Sequence, residues 1–167
     1  PSHIKINYAK GCDVTGTDCS FFSEAVEAAN QSELVIAAIG ERASMSGEDA
    51  SRADISIPGV QEELVQALLD TGKPVVVVLM NGRPLTISKL TEQVPAIVEG
   101  WFLGTETGNA IADVLLGKYN PSGKLTMSFP RNVGQIPVFY NYRQSGRPGT
   151  DKLTKWTNRF IDSPVSP

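Results

Sequence analysis

The stretch "KPVVVVLMNG", residues 73–82, decides the fold because it predicts a strand that must be covered on both faces. Four successive valines are followed by leucine and methionine, with Pro74 near the start of the stretch and Asn81-Gly82 at its end. Such an uninterrupted β-branched run is typical of a parallel strand inside a layered fold. We therefore predict that it is a central parallel strand.

Amphipathic and apolar segments alternate on both sides of this strand. "FFSEAVEAAN" (residues 21–30) and "IPGVQEELVQALLDTG" (residues 57–72) have the apolar spacing of helices, and the second stops at a glycine. "ELVIAAIG" (residues 33–40) and "VPAIVEGWFLG" (residues 94–104) predict two further strands. The order helix, strand, helix, strand is the signature of an α/β layer fold.

The later part of the chain predicts one more helix and one more strand. "KYNPSGKLTMSFP" contains a turn and then a strand, residues 125–129, that we expect to close or edge the sheet. "ETGNAIADVLLG" (residues 106–117) predicts a helix that faces inward through four apolar residues, Ala110, Ile111, Val114 and Leu115.

These elements predict a three-layer α/β/α sandwich around a mostly parallel sheet. The chain has 167 residues, enough for one sizeable core and too few for two comfortable domains. We assign the sandwich to residues 1–130. Residues 131–167 have little periodicity, and we expect an irregular tail that packs on the domain or leads into the next one.

Composition excludes several classes of partner. The formal net charge is -3, which provides no field for a phosphate backbone, so we expect no nucleic acid partner. No apolar run approaches the roughly 20 residues that span a bilayer, so we expect no membrane segment. With one histidine and two cysteines a zinc site is improbable, and we predict no metal and no cofactor. Whether Cys12 and Cys19 are bridged stays open.

Ligands of an open parallel sheet bind at the carboxyl ends of its strands, where three predicted loops converge: residues 40–52, 81–84 and 100–107. The first is the longest, and it carries Glu41, Glu48 and Asp49. Paired carboxylates are the usual equipment for splitting a glycosidic bond, but the adjacent side chains of Glu48 and Asp49 should diverge. A hydrated loop with a surface Glu/Arg pair therefore remains the simpler interpretation of the residues alone. No phosphate-binding glycine motif is present, which disfavours a nucleotide site.

Several stretches in the same order resemble the C-terminal α/β sandwich domain of family 3 glycoside hydrolases. They are "INYAKGCD", "SGEDASRADISIPGVQEELVQAL", "TGKPVVVVLMNGRPL", "AIVEGWFLGTETGNAIADVLLGKYNPSGKLTMSFPRNVGQIPVFYN" and "GRP". The β-glucosidases of the bacterial periplasm are the most similar type. In that family, an N-terminal (β/α)8 barrel holds the sugar pocket and the nucleophile, and the sandwich domain contributes the general acid/base from a loop.

The resemblance implies roles for individual residues. Glu48, in "SGEDASR", lies where the family has its acid/base glutamate. Met45 and Ser46, at the loop tip, would line the aglycone side of the substrate. Glu41 would be an anchoring residue, and Arg52 would hold the loop by pairing with a carboxylate. Burial of a carboxyl against a second domain raises its pKa, as a proton donor requires.

The resemblance also implies a function and leaves an alternative. We expect the acid/base-bearing domain of a retaining β-glycosidase that removes terminal β-D-glucosyl residues, paired with a barrel of the same parent chain in the periplasm or outside the cell, with a cytoplasmic location left open. No residue here is a convincing nucleophile, so the domain alone should be inactive. The alternative is a non-catalytic scaffold or carbohydrate-binding module, in which Glu48 would be fixed by Arg52.

Overall fold

The computed structural model describes residues 3–141, 143 and 160–164. Within them, helices and strands alternate along the chain as the sequence predicts. The elements are α1 (Phe22–Asn30), β1 (Val35–Gly40), α2 (Gln61–Leu69), β2 (Val75–Met80), α3 (Ser88–Gln93), β3 (Ala96–Glu99) and α4 (Thr107–Leu115).

The three strands form one parallel sheet in the order β1-β2-β3. Val35 pairs with Val75 at the start of β1, and Val76 pairs with Ala96 at the start of β3. The valine-rich strand β2 is therefore central, as predicted. Because all three strands run in the same direction, their carboxyl ends lie at one edge of the sheet.

Helices α1 and α2 pack together and cover one face of the sheet. Ala25 and Ala29 of α1 and Leu64 and Leu68 of α2 are buried in the same core as the inward side chains of β1 and β2. These positions recur at helical spacing, which explains why both segments form helices against the sheet. On the opposite face of β1, Ile36 is 51% exposed. The α/β sandwich is confirmed, and this chain leaves part of one sheet face uncovered.

Two predictions about the later part of the chain are wrong. Residues 125–129 form no strand: Leu125 and Met127 are 61% and 58% exposed, and Phe129 packs on the ring of Trp101 at 5.8 Å. Alternating apolar residues make a strand only where a partner strand accepts their backbone, and this segment pairs with none of the described strands. In α4, Ala110 is exposed, while Ile111, Val114 and Leu115 are only half-buried.

Part of the predicted tail lies outside the described residues, and the boundary at residue 130 stays a prediction. The described part contains a buried amide at Gln135, which accepts a hydrogen bond from the Arg131 backbone at 3.0 Å and donates to Pro164 O at 2.9 Å. Among the described helices, none is long and apolar enough to cross a membrane.

Candidate functional site

The carboxyl edge of the sheet brings together the loops that follow β1 and β2. The Glu41 backbone N–H donates to Met80 O at 2.8 Å, so the two strands stay paired up to the point where the loops begin. The chains are close enough here that a Cβ on Gly40, whose φ is 140°, would lie 1.9 Å from Met80 O. Only glycine fits this position. We call residues 41–52 the acidic loop and residues 81–84 the NGRP turn.

Glu41 anchors the base of the acidic loop in a buried charge cluster. Its side chain is fully buried, and Oε1 lies 2.7 Å from Arg52 Nη1 and 3.2 Å from Arg83 Nε. The contact with Nε is an ion pair without hydrogen-bond geometry. The other oxygen, Oε2, accepts the Gly82 backbone N–H at 3.1 Å. One carboxylate therefore connects both ends of the acidic loop to the NGRP turn.

Arg52 and Arg83 use their remaining donors on backbone carbonyls. Arg52 Nη2 donates to Ser56 O at 3.1 Å, which fixes the segment that leaves the acidic loop. Arg83 Nη2 donates to Met45 O and, at 2.8 Å, to Ala50 O, one on each arm of the loop. The planar guanidinium can serve several acceptors in one plane, and here it fixes the loop from inside.

The tip of the acidic loop is a tight turn that presents Glu48. The Ala50 N–H donates to Gly47 O at 3.3 Å, which places Glu48 and Asp49 at the two central positions of the turn. Asp49 has a φ of 58°, the sign that the third position of a type II turn requires, and aspartate tolerates it. The Glu48 side chain is exposed, and no described residue pairs with it.

Ser46 and Met45 lie at the foot of the tip and are half-buried. The Ser46 side chain packs directly on Gly82: a Cβ added there would lie 2.0 Å from Ser46 Oγ and 2.9 Å from the Phe102 ring. Gly82 therefore allows the NGRP turn to approach the acidic loop. The structure brings Met45, Ser46, Glu41 and Arg52 together around one loop and leaves Glu48 at its exposed apex.

A buried amide reinforces the end of β1. Gln61, 3% exposed, accepts the Gly40 N–H through Oε1 at 2.8 Å, and its Nε2 approaches Gly40 O at 2.9 Å. The same Nε2 also reaches Val14 O at 3.0 Å and Pro58 O at 2.8 Å. Helix α2 is thereby tied to Gly40, the last residue of β1 and the one directly before the acidic loop.

A second acid, Glu99, ends β3 beside an apolar cleft of about 1310 Å³ lined by β3, α4 and residues 119–131. Burial raises the pKa of Glu99 to about 7, although its Oε1 accepts the Trp101 N–H at 2.9 Å. The Asn81 side chain also lies close enough to Glu99 to lower this pKa, and the Oδ1 of Asn81 is buried without a hydrogen-bond partner among the described residues. The lining of this cleft is mostly apolar, and none of the acidic-loop residues contributes to it.

The sequence analysis placed residues 81–84 at this edge but gave Asn81 and Arg83 no role, and it missed Glu99. Glu99 ends a predicted strand, so the same rule about carboxyl ends could have identified it as a position near a site. The partners of Arg83 could not be read from spacing, because Arg83 contacts residues 33 and 38 positions away. The described residues contain no cluster of metal ligands, and Cys12 and Cys19 are free thiols.

Comparisons with known proteins agree with the resemblance. The sequence matches the glycosyl hydrolase family 3 C-terminal domain over residues 5–160. It is 47% identical to the periplasmic beta-glucosidase of Salmonella typhimurium over 98% of this chain and 24% of that protein. It is 52% identical to a beta-xylosidase of Formosa agariphila over 83% of this chain and 19% of that protein.

The fold is similar to that of the β-glucosidase from Listeria innocua in complex with isofagomine, with a TM-score of 0.87 and 40% identity over 93% of this chain and 22% of the crystallised one. The chain thus spans about a quarter or less of each of these relatives. The match over nearly the whole chain establishes that it belongs to the family of glycosyl hydrolase family 3 C-terminal domains.

Proposed function

We propose that this domain supplies the general acid/base of a retaining β-glycosidase that removes terminal non-reducing β-D-glucosyl residues. Glu48 is the proton donor to the leaving glycosidic oxygen and then the base that activates water. The nucleophile belongs to a (β/α)8 barrel of the same parent polypeptide, about 5 to 5.5 Å from Glu48 in the assembled site, as retention requires.

The observation that carries the proposal is the contrast between two glutamates in one loop. Glu41 is fully buried and has two arginines and a backbone N–H as partners. Glu48 is exposed at the apex of the same loop, and no described residue pairs with it. Arg52, the residue that could have fixed Glu48 in a scaffold, is committed to Glu41. A carboxyl free of local partners is available to a substrate held by another domain.

The names of the relatives support the substrate class and the location. The relatives include a periplasmic beta-glucosidase and a beta-xylosidase, both acting on β-linked sugars by their names. We assign the glucoside first because the structural neighbour is also a β-glucosidase. We place the parent protein in the periplasm or outside the cell. Met45 and Ser46 would contact the aglycone beside Glu48.

The test compares Glu48→Gln with the wild type in the full-length parent polypeptide, on two aryl β-glucosides that differ in leaving group. With a poor leaving group, kcat/KM should fall by about 10² to 10⁴, the usual contribution of proton transfer. With a good leaving group, which needs little protonation, the loss in kcat/KM should be small. Azide should restore turnover of this substrate by attacking the glycosyl-enzyme. The adjacent Asp49→Asn is the matched control, since asparagine also tolerates the turn conformation.

Two results would contradict the proposal. An equal, slight loss on both substrates would make Glu48 part of a non-catalytic scaffold or carbohydrate-binding module. Hydrolysis by the isolated chain would mean that the nucleophile lies within it, whereas we expect no measurable activity. The same assay with aryl β-xylosides compares the two substrate classes.

A further inference from the structure

We infer that Arg83 is a positioning residue for the reaction, because its side chain fixes both arms of the acidic loop and thereby the place of Glu48. The inference deepens the proposed function and rests on it for its catalytic consequence. Its structural part, that Arg83 orders the loop, stands independently.

Arg83 holds the loop at the two points that flank the tip. Its Nη2 donates to Met45 O and, at 2.8 Å, to Ala50 O. Met45 lies three residues before Glu48, and Ala50 lies two residues after it. Among the described residues, Arg83 makes every hydrogen bond that joins residues 42–51 to the rest of the chain; the others are internal to the loop. Without Arg83, the tip would keep only its own turn and the packing of Ser46 on Gly82.

The arginine is itself firmly held. Asn81, which is completely buried, follows β2 directly and donates from Nδ2 to Arg83 O at 2.7 Å. Arg83 Nε lies 3.2 Å from the carboxylate of Glu41, which compensates the charge. The backbone of Arg83 is therefore fixed to the end of β2, and its side chain is fixed to the residue that follows β1. Glu48 is thereby positioned relative to the carboxyl ends of β1 and β2.

Lysine could replace the charge of Arg83 but not its geometry. A guanidinium presents several N–H groups in a rigid plane, while an ammonium is a point charge on a flexible stem. Arg83→Lys should keep the ion pair with Glu41, and its single nitrogen cannot then also take the place of Nη2, which binds both carbonyls. A misplacement of about 1 Å at a catalytic group can cost about a hundredfold in rate. Arg83→Lys therefore changes how the acidic loop is positioned while it keeps the positive charge at residue 83.

The first measurement is the backbone order of the loop by nitrogen-15 relaxation on the 167-residue chain. We expect residues 46–49 to have order parameters near about 0.85 in the wild type and below about 0.6 in Arg83→Lys, with β2 unchanged. In Arg83→Ala, guanidinium ion at millimolar concentration should restore order, and ammonium ion should not. Lys118→Gln is the control, because it removes a cation from an exposed pair with Asp113.

The second measurement is kinetic and uses the same variants in the full-length parent polypeptide. For Arg83→Lys, kcat/KM should fall about tenfold to a hundredfold with a poor leaving group and less than about threefold with a good one. Loss of loop order with equal losses on both substrates would retain Arg83 as the residue that orders the loop and reject Glu48 as the acid. An ordered loop in Arg83→Lys would overturn the inference whatever the rates, and so would failure of Arg83→Lys to fold, since the residue would then be needed for the fold itself.

Discussion

Replacing Glu41 by glutamine should destabilise the domain more than any loss of a surface ion pair. The Glu41 side chain has no exposed surface, and those of Arg52 and Arg83 are only 16% and 20% exposed. Glutamine keeps the shape and removes the charge, so two guanidinium groups would face each other across a neutral amide. The Gly82 N–H would also face an NH₂ group or compete for the one remaining oxygen.

The expected cost follows from the burial. Removing one partner of a buried ion pair typically costs 3 to 5 kcal/mol, because the remaining charge is left uncompensated. Water still reaches part of both arginines, so the destabilisation by Glu41→Gln should lie at the lower end of this range, about 3 kcal/mol. For a domain of this size, each kcal/mol lowers Tm by roughly 2 to 4 °C, so Tm should fall by about 6 to 12 °C.

Urea and thermal unfolding of the chain, followed by circular dichroism, measure this loss. Asp113→Asn is the matched control: it also turns a carboxylate into an amide, but in a pair whose side chains are 63% and 48% exposed, and it should cost less than about 1 kcal/mol. Raising the salt concentration from 0.1 to 1 M should hardly reduce the difference, since buried pairs are poorly screened. Equal losses in the two variants, or a difference that salt removes, would refute the account of a buried cluster.

Two further predictions concern neighbouring positions. The raised pKa of Glu99 means that the folded state binds a proton more tightly than the unfolded chain between the ordinary value of 4.5 and about 7. The free energy of unfolding should therefore decline by an amount on the order of 1 kcal/mol as pH rises through this window and level off above it. Urea midpoints should show that Glu99→Gln removes the decline. An unchanged pH dependence in this variant would mean that another group titrates. Gly82→Ala should push Ser46 away, since the new Cβ would lie 2.0 Å from Oγ, and should shift the amide resonances of residues 45–48 while those of β3 stay in place. Unshifted loop resonances would contradict the close packing of the two loops.

Much of the fold was predictable because local patterns decided it. The valine run of β2 can only be satisfied by neighbours on both faces, and the spacing of Leu64 and Leu68 fits a single helical face. The predicted strand at 125–129 failed because its alternation, although regular, says nothing about whether a partner strand is available. Pairing is a long-range property, and single-segment patterns do not contain it.

The candidate site, too, was predictable only where local sequence order decides it. That an acidic loop follows β1 at the carboxyl edge could be predicted from the order of elements. Which arginine pairs with which acid could not be predicted. Arg52 is much nearer in sequence to Glu48 than to Glu41 and yet pairs with Glu41, and Arg83 reaches the loop only after the sheet has formed. The raised pKa of Glu99 could not be predicted either. It depends on burial, and the alternation of apolar and polar residues does not specify burial at the end of an edge strand.

The geometry of the acidic loop limits where a partner site can lie. An extended chain covers at most about 3.6 Å per residue, so Glu48 could lie about 14 Å from Arg52 if that residue were its nearest fixed point. With Ala50 held by Arg83, the limit falls to about 7 Å from Ala50. Glu48 therefore cannot reach a substrate that lies far from the carboxyl edge of the sheet. Under the proposed function, the barrel must bring its pocket to the carboxyl edge of the sheet, and the two carboxyl groups must reach their working separation by domain packing rather than by loop movement.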